Sequence, residues 1–231
     1  MEFLKQTGKI IADYYPQLLS GVGYTMLIAL TGTVAGLLIG LLVGVVRTAP
    51  LSQNRFLCGL HRVLNGLLAA YIEIFRSTPM MVQAMVIFWG FAFLNDGQTL
   101  PLIPAGIFIV SINTGAYMAE IVRGGIISVD RGQSEGAYSV GMTHAQAMVH
   151  VILPQALRNI LPSVSNEFVI NIKDTSVLNV IGVMELYYMA GVIYRKNFQI
   201  FQTYLVICVL YFLLTFTVTR QPRRGEVTIG E

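Results

Sequence analysis

Four stretches of the chain run without a formal charge for about as long as a bilayer is thick: 14–46, 77–95, 97–119 and 197–219. A membrane-spanning helix needs about 20 mostly apolar residues, so each predicts one crossing. A fifth charge-free stretch, 136–157, carries Ser139, Thr143, His144, Gln146, His150 and Gln155 and ends near Pro154. It is too polar to be a span. Residues 160–184 are apolar in outline but hold Glu167, Lys173 and Asp174. We take them as a crossing with a polar face. The pattern predicts an all-α membrane protein with about five helices, at 20–46, 77–95, 101–121, 160–184 and 199–219. They form one domain over 1–231 with its core at about 20–220. Segment 51–76 mixes Arg55, His61, Arg62, Glu73 and Arg76 with apolar residues. Such an amphipathic segment suits the interface, or a short lead into the second span.

Two further patterns constrain how these helices stand. Gly32, Gly36, Gly40 and Gly44 recur every four residues along one face of the first span. Small residues at that spacing let helices approach closely in lipid, within a protomer or across a dimer. The basic residues set the orientation. With five spans, one side receives Arg47, Arg55, Arg62, Arg76, Arg123, Arg131, Arg158, Arg220, Arg223 and Arg224; the other receives Lys5, Lys9, Arg195 and Lys196. Ten against four predicts an extracytoplasmic N-terminus and a cytoplasmic C-terminus.

Composition agrees. Hydrophobic residues make up 55% and charged residues 12%, with mean hydropathy +0.65. Soluble domains carry roughly twice that charge, so a soluble or disordered chain is excluded, and a net charge of +3 is too mild for nucleic acid. Cys58 and Cys208 are far apart, which gives neither a disulfide framework nor a zinc site; both are expected as small buried hydrophobes. No apolar core with a cleavage site follows the N-terminus, so no signal peptide is expected. Trp89, Phe88, Phe91 and Phe93 near one end of the second span suit an interfacial anchor.

The connection at 121–160 is the most informative segment. Connections longer than about 12–15 residues are usually functional or disordered, and this one is strongly patterned. Glu135 to Val140 predicts a short helix stopped by Gly141. Thr143 with Gln146 predicts a capping box opening a second helix, which Pro154 and Pro162 should interrupt. An amphipathic helix resting on lipid would share this pattern.

Glu135-Gly136-Ala137, three residues, Gly141, nine residues, then Val151-Ile152-Leu153-Pro154 resembles the EAA motif of ATP-binding-cassette importer permeases. Gly136 and Val151 depart from it conservatively. Three further stretches resemble the polar-amino-acid branch of that family. These are Glu73–Pro79 with Gln83, Gly115–Ile126, and Lys173–Ser176 followed by Val180–Val183. The resemblance covers about 20–220.

It implies a fold like that of type I importer permeases working as a dimer, with a homologous or identical second protomer, in a prokaryotic inner or plasma membrane. It implies that the region at 121–160 couples to the ATPase, through Glu135, Gly136, Ala137, Gly141, Leu153 and Pro154. The other implied partners are two cytosolic ATP-binding subunits, an extracytoplasmic amino-acid-binding protein and the lipid bilayer. No cofactor is implied for this chain: ATP and magnesium belong to the ATPase subunits. Consistently, the chain has no GxxxxGK[ST] loop, and no catalytic or metal-ligating constellation is expected.

The expected transport chemistry lies where polar groups enter the membrane. On a helix over 160–184, Ser163, Glu167, Asn171 and Asp174 share one arc, widened by Asn166 and Lys173. Carboxylates there suit a substrate ammonium and Lys173 suits a carboxylate; Thr175 and Ser176 add hydroxyls or cap a break in the helix. Gln83 and Asn113 could line the same cavity or bond helix to helix. A structural ion pair of Lys173 with Asp174 or Glu167 competes with the substrate reading. Glu120 with Arg123, and Glu73 with Arg76, read as local ion pairs. His144 and His150 read as polar-face residues. The expected function is the permease subunit of an ATP-driven importer of polar amino acids. A gated pore needing no ATPase, and a membrane scaffold, are the alternatives.

Overall fold

The computed structural model describes residues 2–50 and 54–220. Among them nine α-helices follow one another: α1 Glu2–Thr48, α2 Arg55–Ser77, α3 Met80–Leu94, α4 Leu102–Ile127, α5 Arg131–Ser139, α6 His144–Ala147, α7 Leu153–Asp174, α8 Leu186–Asn197 and α9 Ile200–Arg220. A π turn, Met148–Ile152, joins α6 to α7, and a 3₁₀ turn, Thr175–Ile181, extends α7. Helices α1, α4 and α9 are each long and apolar enough to cross a membrane. The pair α2–α3, bent by 114°, and the run His144–Ile181 with α8, bent by 56°, bring the number to as many as five.

The glycine ribbon of α1 packs within the protomer, against α4. A Cβ on Gly32 would lie 2.5 Å from Val110 Cγ1, one on Gly36 2.7 Å from Thr114 Cβ, and one on Gly44 2.7 Å from Val122 Cγ1. Gly40 meets Met118. Both sets of numbers climb in steps of four, so α1 and α4 run parallel. The bent pair α2–α3 therefore makes the return between them. Helix α7 runs back along α4, with Asn171 beside Thr114 and Ile160 beside Gly125. Gln202 of α9 meets Gln6, while Tyr211 and Thr25 both meet the start of α8. So α9 runs parallel to α1, along its first half, and the ends of α1 and α4 gather at one face, with α5 and α6.

Several sequence expectations change. Helix α1 begins well before residue 20. Its first turns pack Ile10 against α9, and it kinks at Tyr14 (φ −120°, ψ 16°), where the Pro16 ring obstructs regular helix. Segment 51–76 contains a full helix that leads into the second span through a bend at Ser77-Thr78-Pro79. The third span runs six residues further, to Ile127. Pro154 and Pro162 do not end the helix that Thr143 opens: the coil runs on to Asp174, leaving α geometry only for the π turn at Met148–Ile152, two residues before Pro154, while Pro162 is carried on an exposed face. The fourth span ends its α-helix at Asp174, before 184, and α8 is an additional helix. Cys58 is only half-buried and Cys208 is exposed, because both sit on helix faces that this chain does not cover. Phe88 is buried in the core, edge-on to the exposed Trp89, so it is no interfacial anchor.

Candidate functional site

A layer of polar side chains lies at mid-depth, level with residues 113–117 in the middle of α4. Part of it seals helix to helix. The Asn171 amide donates to Thr33 Oγ1 at 2.8 Å and its oxygen accepts from Thr114 Oγ1 at 3.1 Å, joining α7 to α1 and α4. Gln83 and Asn113 form a second seal. The Gln83 amide donates to the carbonyls of Phe75 and Thr78, both at 2.9 Å, and its oxygen accepts from the Asn113 amide at 2.8 Å. The last carbonyls of a helix have no partner within it, so this pair satisfies the end of α2 where the chain turns. All three residues are buried. Thr175 is buried too, its hydroxyl bonded to the Ile172 carbonyl, at the change from α to 3₁₀ helix.

The rest of the layer is uncovered. On α7, Asn166 and Lys173 are exposed and Glu167 and Asp174 are half-buried, as is Ser176 in the 3₁₀ turn that follows. No residue of this chain forms an ion pair with Glu167, Lys173 or Asp174 among the described residues. The face is therefore free to meet solvent, a ligand or another protomer.

Below this layer, Glu120 bridges two helices. Its carboxylate takes Arg123 at 2.8 Å, the expected local pair, and Arg47 of α1 at 2.5 Å. Glu73 and Arg76 do not pair, contrary to expectation. The Arg76 guanidinium instead lies over the Tyr117 ring, 5.5 Å from its centre.

Sequence reasoning misses Glu185. This side chain is fully buried and caps α8, accepting from the backbone N–H groups of Tyr187 (2.8 Å) and Tyr188 (2.7 Å) and from the Tyr211 hydroxyl (2.9 Å). The available signal was an acid at a helix start, three residues after Gly182, which sits at φ +89°.

At the face where α1 and α4 end, α5 and α6 project. Helix α5 starts at Arg131, four residues earlier than expected, because Asp130 caps it by accepting from the Gly132 N–H at 2.7 Å. It stops as expected at Gly141, φ +84°. There the N–H of Gly141 reaches the Tyr138 carbonyl and that of Met142 the Ala137 carbonyl, the paired bonds of a Schellman stop. Thr143 and Gln146 form the expected capping box. Glu135, Gly136 and Val140 are exposed, Ala137 is buried, Leu153 is half-buried and Pro154 is exposed. His144 bonds the Tyr138 hydroxyl at 3.0 Å and His150 the Gln146 carbonyl at 3.0 Å, polar-face contacts with no metal geometry.

Among the described residues all regular structure is helical, with broken spans, an uncovered polar face at mid-depth and a built helix–turn–helix at one face. The chain belongs to the family of binding-protein-dependent transport system inner membrane components, whose model matches residues 56–221. It is similar to the glutamine transport system permease protein of Escherichia coli (strain K12), 34% identical across 91% of this chain and 92% of that one. It is similar to the L-cystine transport system permease protein of Bacillus subtilis (strain 168), 34% identical across 90% and 84%. A solved amino acid ABC transporter with histidines has the same fold, with TM-score 0.81 and 34% identity over 94% of this chain and 96% of that one. The inward-facing MetNI methionine transporter, 20% identical, shares the fold at TM-score 0.70 over 92% and 97%. The protein is thus an inner-membrane permease subunit with the type I ABC importer fold, and such systems include an ATPase and a binding protein. A pore working without an ATPase is not favoured.

Proposed function

We propose that this chain forms, with a second permease protomer, the pathway of an ATP-driven importer of polar amino acids. The observation that carries the reading is likeness over nine-tenths of the chain to permeases named for amino acids, together with a mid-depth polar face on α7. In this reading Glu167 and Asp174 take the substrate ammonium, and Lys173, Asn166 and Ser176 serve its carboxylate or side chain. Asn171, Gln83, Asn113 and Thr175 shape the cavity from behind. The α5–α6 region, through Glu135, Gly136, Ala137, Gly141, Leu153 and Pro154, docks on one of two cytosolic ATPase subunits. The chain forms one domain with its N-terminus outside, its C-terminus inside, and no ATPase activity of its own. The parallel course of α1, α4 and α9 supports the opposite placement of the two ends.

Uptake tests this. The complex with its ATPase and binding protein, in proteoliposomes, should accumulate labelled polar amino acids only with ATP. Accumulation without ATP, or of none of them, refutes the reading. For orientation, a Cys58→Ser, Cys208→Ser background should let an impermeant reagent reach a cysteine at Asn95 from outside and not one at Gly132. Equal labelling of both from outside refutes the topology.

A further inference from the structure

Arg76 is out of place for an ordinary structural arginine. It ends α2 at mid-depth, one residue from the Phe75 carbonyl that the Asn113 amide approaches at 3.4 Å. A cation at that depth is costly unless it meets water or a partner. Among the described residues no carboxylate lies within 4 Å of it. It is exposed on the protomer, and the Tyr117 ring beneath fixes its plane. It opens onto a cavity of about 480 Å³ lined by Arg47, Glu73, Arg76, Ser77, Tyr117 and Glu120. That volume is within the range of small-molecule sites. Arg47 and Glu120 are joined to each other in this lining, which leaves Arg76 and Glu73 as its unpaired charges.

We propose that Arg76 receives the α-carboxylate of the substrate, held bidentate by the guanidinium fork, with Glu73 of the same lining and Glu167 of the uncovered α7 face as the acids for the ammonium. A planar fork matches a carboxylate where a lysine offers only a point charge. This gives the carboxylate to α2, leaves Lys173, Asn166 and Ser176 for the side chain of the substrate, and places the substrate at the broken span, where α2 gives way to α3. The inference rests on the amino acid importer reading above and deepens it.

The test uses the assembled complex in proteoliposomes with saturating binding protein, and as probe a ¹⁴C-labelled mixture of the protein amino acids with L-cystine. Wild type, Arg76→Gln and Arg76→Lys are compared for uptake, for basal ATP hydrolysis and for recovery with the ATPase. Losing a charge-assisted pair should slow Arg76→Gln roughly ten- to hundredfold, with Arg76→Lys partly restored and with recovery and basal hydrolysis unchanged in both. Wild-type uptake by Arg76→Gln overturns the assignment while the importer reading stands. Failure of both variants to assemble also overturns it, in favour of a bracing role. If the wild-type complex itself takes up nothing from the mixture, the importer reading fails, and this assignment with it.

Discussion

Gly40→Ala is the sharpest test of the packing, because the added atom meets backbone. Its Cβ would stand 2.7 Å from the Met118 carbonyl carbon and 2.9 Å from the Ala119 nitrogen, where ordinary contact begins at 3.4 Å. No rotamer relieves this, so α1 and α4 must part by about 0.5–1 Å, which forfeits a quarter to a half of the dispersion attraction of atoms facing across the gap. Gly36 and Gly44, one turn to either side, lose contact as well. Overpacking of this kind costs about 1–3 kcal/mol, while alanine's better helix propensity returns up to about 1 kcal/mol. The net expectation is a loss of about 0.5–2 kcal/mol. Gly23 supplies the control: it lies on the same helix with nothing within 4 Å of its would-be Cβ, so Gly23→Ala should be neutral or slightly stabilising. Unfolding of the purified protein by SDS, followed by the fluorescence of the single tryptophan, Trp89, gives both midpoints. A Gly40→Ala midpoint at or above that of Gly23→Ala refutes the steric account of the ribbon.

Three more perturbations follow from the same structure. Gly141→Val puts a β-branched residue at φ +84°, a strain of about 1–3 kcal/mol at the α5–α6 turn; pull-down should show weak ATPase association with normal membrane insertion, and normal association would contradict the docking role. Gln83→Leu strands the Thr78 carbonyl and leaves the Phe75 carbonyl and the Asn113 amide only their long 3.4 Å contact with each other, at about 1–3 kcal/mol; hydrogen exchange should speed up at the end of α2 and leave α9 unchanged, and unaltered exchange there would sink the seal. Glu185→Gln leaves three donors facing one acceptor oxygen, so at least one buried N–H or O–H is ill-served; an SDS midpoint lower by about 1–3 kcal/mol is expected, and an unchanged midpoint would mean the cap contributes little.

The apolar crossings were legible because lipid demands long charge-free runs, and the four-residue glycine step because helix approach has a fixed period. Gly141 and the Thr143–Gln146 box were legible because their geometry depends on neighbouring residues alone. What could not be read depends on contacts distant in sequence. Helix α8 is only twelve residues long, preceded by Glu185 and carrying Arg195 and Lys196 in its last turn, so it looks like a loop; its cap is completed by Tyr211, far along the chain. The roles of Gln83, Asn113 and Asn171 as seals rest on partners up to 138 residues away. Arg76 resembled half of a local ion pair because Glu73 has the right spacing, and only the fold brings Tyr117 under it.

The π turn between α6 and α7 has a mechanical meaning. From His144 to Asp174 the backbone is one uninterrupted coil, with no loop to absorb motion between the projecting face and mid-membrane. At about 1.5 Å per residue it is a bar of roughly 45 Å, so a tilt of about 5° at one end swings the other by about 4 Å. The loosened winding at Met148–Ile152, and Pro162, whose ring removes a helix hydrogen bond, are where such a bar could flex instead of swing. Stiffening or slackening the π turn would therefore change how much of a push at the projecting face arrives beside Asp174.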